Sequence, residues 1–405
     1  MRDARPAAAA ALLVFAFGVF QALAANTAPD LFIYRLGSQL GLLAQSPYDT
    51  APVRSAVVEQ FPELNTGPAP LGDNCGYFLP PGAVVAFAPL ALLPWLAAKL
   101  AWAAVNGLAA FAVGRVVTLF RPVGQPDGPE LVRLLVPFLL VLNFLTLAVV
   151  MVGQTPLVAA GCVIAGLAAF GRGWNLAGAL LWALPFVKPH VALPLLALAW
   201  YLGGWKRAAG VLLVVAGMNL LGAMFVGGTP LFLLDYLKLA GAGHQTVAFN
   251  RAELAYEMTS WNRLLYVASG EQVLVEQTAT TMLLSYAVGF GLVTLRCVAV
   301  RTRPSEAWAL AVGASLAVVC PQVLGYELVG LVLAVPWVRD LFATGHKRWG
   351  LTALLLLGVQ LVPFPTMQAL GVEWHRPAGA MAFALVVLLG PLRPVGQVTN
   401  GSILV

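Results

Sequence analysis

Two charged residues stand out because each lies beside long apolar stretches of the sequence. Asp30 follows the first such stretch, in Asn26-Thr27-Ala28-Pro29-Asp30, and Lys188 lies between two others, before Pro189-His190. A carboxylate partly removed from water can have a raised pKa and serve as a general base. An ammonium group in a similar place can bind a phosphate and stabilise it as a leaving group. Together they suit deprotonation of a hydroxyl next to a departing phosphate.

Both residues also have plain structural explanations. Pro29 suits the first position of a helix, and Asp30 would then complement the positive end of that helix's dipole. Lys188 could extend its ammonium group to lipid headgroups while its methylenes stay in the apolar region. A charge beside a membrane span is nevertheless a functional candidate by default. Position alone leaves both alternatives open.

Neutral polar and aromatic residues follow other apolar stretches and could complete a site for a polyhydroxylated ligand. Gln154 can hydrogen-bond such a ligand, although helix capping explains it equally well. Tyr326 precedes Glu327, which could simply be solvated at the start of a helix. His190 could assist Lys188 in binding a phosphate. Three further residues could contact a sugar: Tyr77, Trp261 and Asn262. Interfacial or structural roles are the alternative for them.

The composition indicates that lipid is the outer solvent of this chain. Of 405 residues, 60% are apolar and only 10% are charged, with a mean hydropathy of +0.85. Soluble domains carry about 25% charged residues. The net charge is +6, but the basic residues are scattered between apolar stretches, which indicates membrane topology and not nucleic-acid binding. The four cysteines form no disulfide or metal-binding pattern.

The apolar stretches predict an all-α, polytopic transmembrane bundle of about twelve spans. With a cytoplasmic N-terminus, basic residues then fall on alternate loops and both termini lie inside. Residues 82–94 are predicted to lie shallowly along the membrane. The whole chain, residues 1–405, forms a single integral membrane domain. The predicted spans are 6–26, 97–120, 131–150, 156–171, 174–187, 190–203, 208–226, 279–295, 305–322, 326–338, 349–364 and 378–392.

This topology leaves two long connections on the outer side, residues 26–81 and 227–277, and long connections often carry function. Apolar residues predict a helix lying along the membrane in each connection. In the second connection it covers residues 231–239. In the first, one apolar side of the helix is formed by Leu31, Tyr34, Leu36, Leu40 and Leu43. A cleaved signal peptide ending near Ala25 is an alternative for the first stretch. Four candidates reach one outer face, where we expect a common site: Asp30, Gln154, Lys188 and Tyr326.

Several short motifs, taken in order, resemble glycosyltransferase family 87. They are Asp30-Leu31-Phe32-Ile33-Tyr34 with Ser46-Pro47-Tyr48-Asp49, Tyr77-Phe78-Leu79-Pro80-Pro81 with Ala88-Pro89-Leu90, Trp102 and Asn106, Gly153-Gln154, and Lys188-Pro189. The resemblance covers residues 26–210 well and the C-terminal half only loosely. Members are multipass membrane enzymes of the GT-C type and include mycobacterial phosphatidylinositol-mannoside alpha-1,2-mannosyltransferases.

The resemblance implies an inverting hexosyltransferase in a bacterial plasma membrane, with its active site facing outside. It would move mannose, or another hexose or a pentose, from a polyprenyl-phosphate donor to a lipid or glycan acceptor of the cell envelope. Asp30 matches the family's acidic residue and would be the general base. The charge and position of Lys188, and not the resemblance, indicate that Lys188, with His190, would contact the donor phosphate. No metal or other cofactor is expected, because the donor has no diphosphate. The substrate-binding residues would be Tyr34, Tyr77, Gln154, Trp261, Asn262 and Tyr326.

The chain departs from the family in its second outer connection, where no motif matches, and again after Pro321. Members often have a histidine after the segment equivalent to Pro321, whereas this chain has Gly325-Tyr326-Glu327, and His190 or His244 could substitute. A secondary transporter or lipid flippase is the alternative function. It predicts inverted repeats and ionisable groups near the bilayer midplane, whereas no repeat is evident here. A non-catalytic scaffold is the third alternative, and it would leave Asp30 freely replaceable.

Overall fold

The computed structural model describes residues 4–24, 27–66, 75–116, 130–238, 257–276, 278–301, 305–321, 323–372 and 374–392. Within these ranges the regular secondary structure is helical, with one isolated bridge between Met258 and Leu324. The all-α prediction is therefore confirmed. His244, Ala25 and Asn26 lie outside the described residues.

The N-terminal half contains ten α-helices, counted within the described ranges, and two 3₁₀-helices. The α-helices are α1 Arg5–Leu23, α2 Pro29–Leu42, α3 Thr50–Gln60, α4 Gly82–Ala91, α5 Trp95–Gly114, α6 Glu130–Val141, α7 Phe144–Val152, α8 Pro156–Gly171, α9 Asn175–Ala183 and α10 Pro189–Gly227. The 3₁₀-helices are Pro62–Asn65 and Leu184–Val187.

The C-terminal half continues the bundle with further α-helices and a long 3₁₀-helix, Gly325–Ala334. Residues 232–238 are also helical, which agrees with the helix predicted in the second connection. The α-helices are α11 Trp261–Ala268, α12 Ala279–Val300, α13 Glu306–Val319, α14 Val335–Ala343, α15 Lys347–Gln360, α16 Phe364–Ala369 and α17 His375–Leu389.

Fewer helices are long enough to cross a membrane than the sequence predicts. Among the described residues, α1, α5, α12 and the Gly204–Gly227 part of α10 have the required length and apolar composition, and the bent pair α6 and α7 could form a fifth span. Six other apolar helices have only 10–17 residues. The twelve predicted spans are therefore not confirmed. Hydropathy counts apolar residues, but short apolar segments also suit buried core helices or re-entrant segments.

The two spans predicted at 190–203 and 208–226 correspond to two helical parts of α10, Pro189–Tyr201 and Gly204–Gly227, which meet at a kink at Gly204. The basic segment predicted as a loop between them is the start of the second part. Gly204 has φ 70° and ψ 179°, a conformation that glycine adopts without steric cost. Lys206 and Arg207 therefore stand on the helix, and the Arg207 guanidinium lies 5.0 Å from the centre of the Phe170 ring.

Small residues hold the N-terminal helices close together. Ala7, Ala10 and Ala11 of α1 are buried, so the alanine run forms a packing face. A Cβ added at Gly18 of α1 would lie 2.8 Å from the Cβ of Ala103 in α5. Small residues let helix backbones approach closely in membrane proteins. This packing fixes the end of α1, from which the chain enters α2.

The first long connection folds onto α2 and forms its own apolar cluster. Phe32 of α2 packs edge-on against Phe61 and Trp95, with ring centres 5.4 Å apart in both pairs. Leu31 and Tyr34 are buried within the protein, whereas Leu43, the residue after the end of α2, is 69% exposed.

Candidate active site

The start of α2 is held against the turn that follows α7. The Ala28 backbone N–H donates a 2.8 Å hydrogen bond to the Met151 carbonyl. Gly153 ends α7 with φ 78°, and a Cβ there would lie 2.6 Å from the Cβ of Leu31. The turn can therefore approach α2 only because residue 153 is glycine. This contact brings Asp30 beside Gln154, although the two are far apart in the sequence.

Gln154 lies at the centre of a buried hydrogen-bond network. Its Nε2 donates to Asp30 Oδ2 at 2.8 Å and to the Tyr326 hydroxyl oxygen at 3.2 Å. Its Oε1 accepts from the Tyr34 hydroxyl at 2.8 Å and from Lys188 Nζ at 2.6 Å. A glutamine amide has two N–H groups and two acceptor lone pairs, so all four are used. The structure thus brings the four residues of the expected common site together, with Tyr34 in addition.

Lys188 reaches this network from a break in the helical backbone. It separates the 3₁₀-helix Leu184–Val187 from α10, where Pro189 takes the first helical position. The side chain is directed to the interior, and the residue is 9% exposed. Its Nζ lies 5.2 Å from the centre of the Tyr326 ring. The Lys188 ammonium group in this structure is held by protein contacts and does not extend to solvent.

Glu327 is the functional candidate that the sequence does not single out. It is 4% exposed, and its Oε1 lies 2.5 Å from Lys188 Nζ. Glu327 does lie at a helix start, in the first turn of the 3₁₀-helix Gly325–Ala334, but the alternative that it is simply solvated is wrong. The sequence offers one signal for this pair. A buried ammonium group needs a counter-charge, and Glu327 directly follows a residue, Tyr326, that is itself a site candidate.

The surroundings of Asp30 disfavour its charged form. Asp30 lies in the first turn of α2, outside the spanning helices. Burial raises the pKa of its carboxyl, the hydrogen bond from Gln154 and the charge of Lys188 lower it, and the charge of Glu327 raises it again. The net result is a pKa above the usual aspartate value. A carboxylate with a raised pKa is a stronger base near neutral pH.

The remaining predicted site residues lie outside the Gln154 network. Tyr77 is buried and packs against Tyr48, with ring centres 5.7 Å apart. Trp261 Nε1 donates to Ser285 at 2.9 Å. His190 adjoins Lys188 in the chain, and its backbone carbonyl accepts a hydrogen bond from the Tyr286 hydroxyl.

Asn262 is the most enclosed of these predicted residues, with no exposed surface. Its Nδ2 donates to the Val275 carbonyl at 3.2 Å, and its Oδ1 accepts from the Ser260 hydroxyl. These bonds tie the second connection together. Among the described residues, no group of three or more His, Cys, Asp and Glu side chains is placed to hold a metal ion.

Replacing Gly153 with alanine is expected to destabilise the protein more than the same change at Gly173. Both glycines have a positive φ, of 78° and 77°, but a Cβ at Gly173 would meet nothing within 4 Å. The positive φ costs either variant about 1–2 kcal/mol, and the contact with Leu31 adds about 1–3 kcal/mol at Gly153. Unfolding of both variants in detergent measures the difference. Equal losses would contradict the docking of this turn on α2.

Comparison with known proteins places the chain in a family. A search of curated proteins finds no match. The family model described as glycosyltransferase family 87 matches residues 77–321. Gln154 and Lys188 lie within the matched residues, whereas Asp30, Tyr34 and Tyr326 lie outside them. Because the match covers more than half of the sequence, the chain belongs to glycosyltransferase family 87.

Proposed function

We propose that this membrane glycosyltransferase takes a hexose or pentose, such as mannose, from a polyprenyl-phosphate donor and attaches it to a lipid or glycan hydroxyl. The observation that carries the proposal is that Asp30 and Lys188 bind opposite ends of one amide, that of Gln154. A base and a cation held on the two sides of one amide suit attack by a hydroxyl at the base and departure of a phosphate at the cation. Family membership favours this transferase over a transporter or flippase.

The proposed reaction is a single displacement. The acceptor hydroxyl gives its proton to Asp30 while its oxygen attacks the anomeric carbon of the sugar. The bond from that carbon to the phosphate oxygen breaks, and the electron pair leaves with the lipid phosphate. Lys188 stabilises the charge on this phosphate. Attack from the side opposite the leaving group inverts the configuration of the sugar.

Other residues take binding roles in this proposal. Tyr34 and Tyr326 would hydrogen-bond the substrates next to the reacting atoms, and His190 would assist at the phosphate. Gln154, predicted to bind substrate, would instead hold Asp30, Lys188 and the two tyrosines in place, because its amide is fully occupied by them. For Tyr77, Trp261 and Asn262 we propose indirect roles, since they shape the two connections that border the site.

We further propose that the site faces the extracytoplasmic side of a bacterial plasma membrane. The support is the charge before the first span: Arg2 and Arg5 precede the apolar part of α1, and positive charge marks the cytoplasmic end of a span. Asp30 follows the other end of α1. A single crossing by α1 would therefore put Asp30 outside.

A transfer assay tests the donor class. The purified protein in lipid vesicles would be given radiolabelled isoprenyl-phosphoryl-mannose, or the nucleotide sugar GDP-mannose, with a lipid extract from a deletion strain as acceptor. Mass spectrometry of that strain's envelope glycans and lipids would first identify the sugar that is missing. Both labelled donors would then carry that sugar in place of mannose. We expect transfer from the isoprenyl-phosphate donor alone. Transfer only from the nucleotide sugar would overturn the proposal.

The activity should depend on pH through Asp30. The base must be ionised to accept a proton, and burial raises the pKa of Asp30. The value of kcat is therefore expected to fall as pH drops through a pKa higher than the usual aspartate value of about 3.9. A profile of kcat against pH at saturating donor measures this. A kcat that stays constant down to the ordinary aspartate pKa would contradict the assignment.

A further inference from the structure

The Lys188 ammonium group is already neutralised by a buried carboxylate. It bonds Glu327 Oε1 at 2.5 Å and Gln154 Oε1 at 2.6 Å. Neither Lys188 nor Glu327 is more than 9% exposed. The proposed phosphate ligand would therefore meet a cation whose charge is balanced and whose position is fixed.

The charges around the network limit how a phosphate can bind. One ammonium group, Lys188, lies among two carboxylates, Asp30 and Glu327. A donor phosphodiester would bring a further negative charge to the same cation. Like charges in a shared, poorly hydrated site disfavour one another's ionisation. The arriving phosphate thus opposes the charge of the carboxylate that already contacts Lys188.

We propose that Glu327 is a positioning residue that exchanges its charge for that of the donor. In the empty site the Glu327 carboxylate holds the ammonium group of Lys188 against Gln154. When the phosphodiester binds, Glu327 takes up one proton from solvent, so that the total charge around Lys188 is unchanged. When the lipid phosphate departs, the proton is released again. This inference rests on the proposed function, since it requires a phosphate at Lys188.

The other ionisable groups that face Glu327 are few among the described residues. Asp30, Tyr34 and Tyr326 interact with its charge. Beyond Tyr326 lies the ion pair of Glu257 with Arg376, whose closest atoms are 2.9 Å apart. Asp30 could also take up a proton when a phosphate arrives, so the test has to be made without it.

The test therefore uses the Asp30→Asn protein, which by the proposed mechanism also cannot turn over the donor. The probe is a short-chain isoprenyl-phosphoryl-mannose, whose phosphodiester carries one fixed negative charge. Calorimetric titrations in buffers of different ionisation enthalpy count the protons taken up. We expect uptake approaching one proton per donor bound at neutral to alkaline pH, and a Kd that rises about tenfold per pH unit. Adding Glu327→Gln should abolish the uptake and make the Kd independent of pH.

Two further variants keep the outcome decisive. Glu257→Gln in the same background is the matched control, because it removes a carboxylate from the neighbouring ion pair, and we expect proton uptake to persist. If the Glu327→Gln protein does not fold, proton uptake is measured in the His190→Gln variant, because His190 adjoins Lys188 and could also take up a proton. Uptake that persists in this variant supports Glu327 as the group that is protonated. Uptake that disappears with His190, or survives Glu327→Gln, overturns the inference.

The failure of this inference differs from the failure of the proposed function. If the probe binds to the Asp30→Asn protein with no proton uptake, only the role of Glu327 is wrong. If neither the wild-type protein nor this variant binds any isoprenyl-phosphoryl sugar, the proposed donor class is wrong. A merely structural Glu327 would alter stability but would leave no linked proton to remove.

Discussion

Replacing Asp30 with asparagine is expected to lower kcat about 10²–10⁴-fold, the usual contribution of a general base. Asparagine has nearly the same shape, and its side-chain oxygen can still accept the 2.8 Å hydrogen bond from Gln154 Nε2. It cannot take up the proton of the acceptor hydroxyl. The variant should therefore insert and fold while losing transfer, which initial rates at saturating donor and acceptor would measure.

Asp49→Asn is the matched control for this prediction. Asp49 lies in the same connection as Asp30 and caps α3, where its Oδ1 accepts from the Ala51 N–H at 3.2 Å. If Asp30 served only to complement the start of α2, the two substitutions should have similarly small effects. Transfer by the Asp30→Asn protein within a few fold of the wild-type rate would remove the proposed base.

Replacing Lys188 with methionine is expected to destabilise the protein by about 3–5 kcal/mol and to abolish transfer. Methionine fills much of the same volume but leaves Glu327 as a buried carboxylate without its cation, and breaking a buried pair in this way has about that cost. The departing phosphate would also lose its positive partner. Denaturant unfolding in detergent and the transfer assay measure the two effects separately.

The double variant Lys188→Met with Glu327→Gln separates stability from chemistry. Once both charges are gone, most of the lost stability should return, because no isolated charge remains buried. Transfer should stay absent, because no cation faces the phosphate. Lys238→Met is the control at an exposed pair: Lys238 lies 3.9 Å from Asp235, and both side chains are more than half exposed. Its effect should be within about 1 kcal/mol. Transfer that recovers in the double variant would contradict the role of Lys188.

The fold was predictable where one apolar stretch forms one uninterrupted helix. The stretch 156–171 coincides with α8, because Pro156 marks its start and Gly171 its end. The stretch 131–150 does not form one uninterrupted helix, because α6 and α7 meet at a 45° bend. Asn143 creates the new helix start there, since its side chain accepts from the Thr146 N–H at 3.0 Å. Such breaks depend on single side-chain contacts that an average of hydropathy does not register.

The candidate site was predictable as a set of residue types but not as a pattern of contacts. Asp30, Gln154 and Lys188 each adjoin an apolar stretch, which the sequence displays directly. The burial of Glu327 depends on Lys188, which is brought to it only by the packing of distant helices. The central position of Gln154 likewise depends on Gly153, whose missing side chain lets the turn reach α2. For these contacts the local sequence holds only a weak signal, the position of Glu327 directly after Tyr326.

The amide of Gln154 also gives the site a direction. The Tyr34 hydroxyl donates to this amide, whereas the Tyr326 oxygen accepts from it. Tyr326 therefore keeps its own hydrogen for a ligand, and Tyr34 keeps lone pairs. A phosphate oxygen, which only accepts, complements the free hydrogen of Tyr326. A sugar hydroxyl, which can donate, complements the lone pairs of Tyr34. If the proposed donor were rotated end over end, its phosphate oxygen would face the Tyr34 oxygen, acceptor against acceptor. We therefore expect this glutamine to restrict the orientation in which the donor enters.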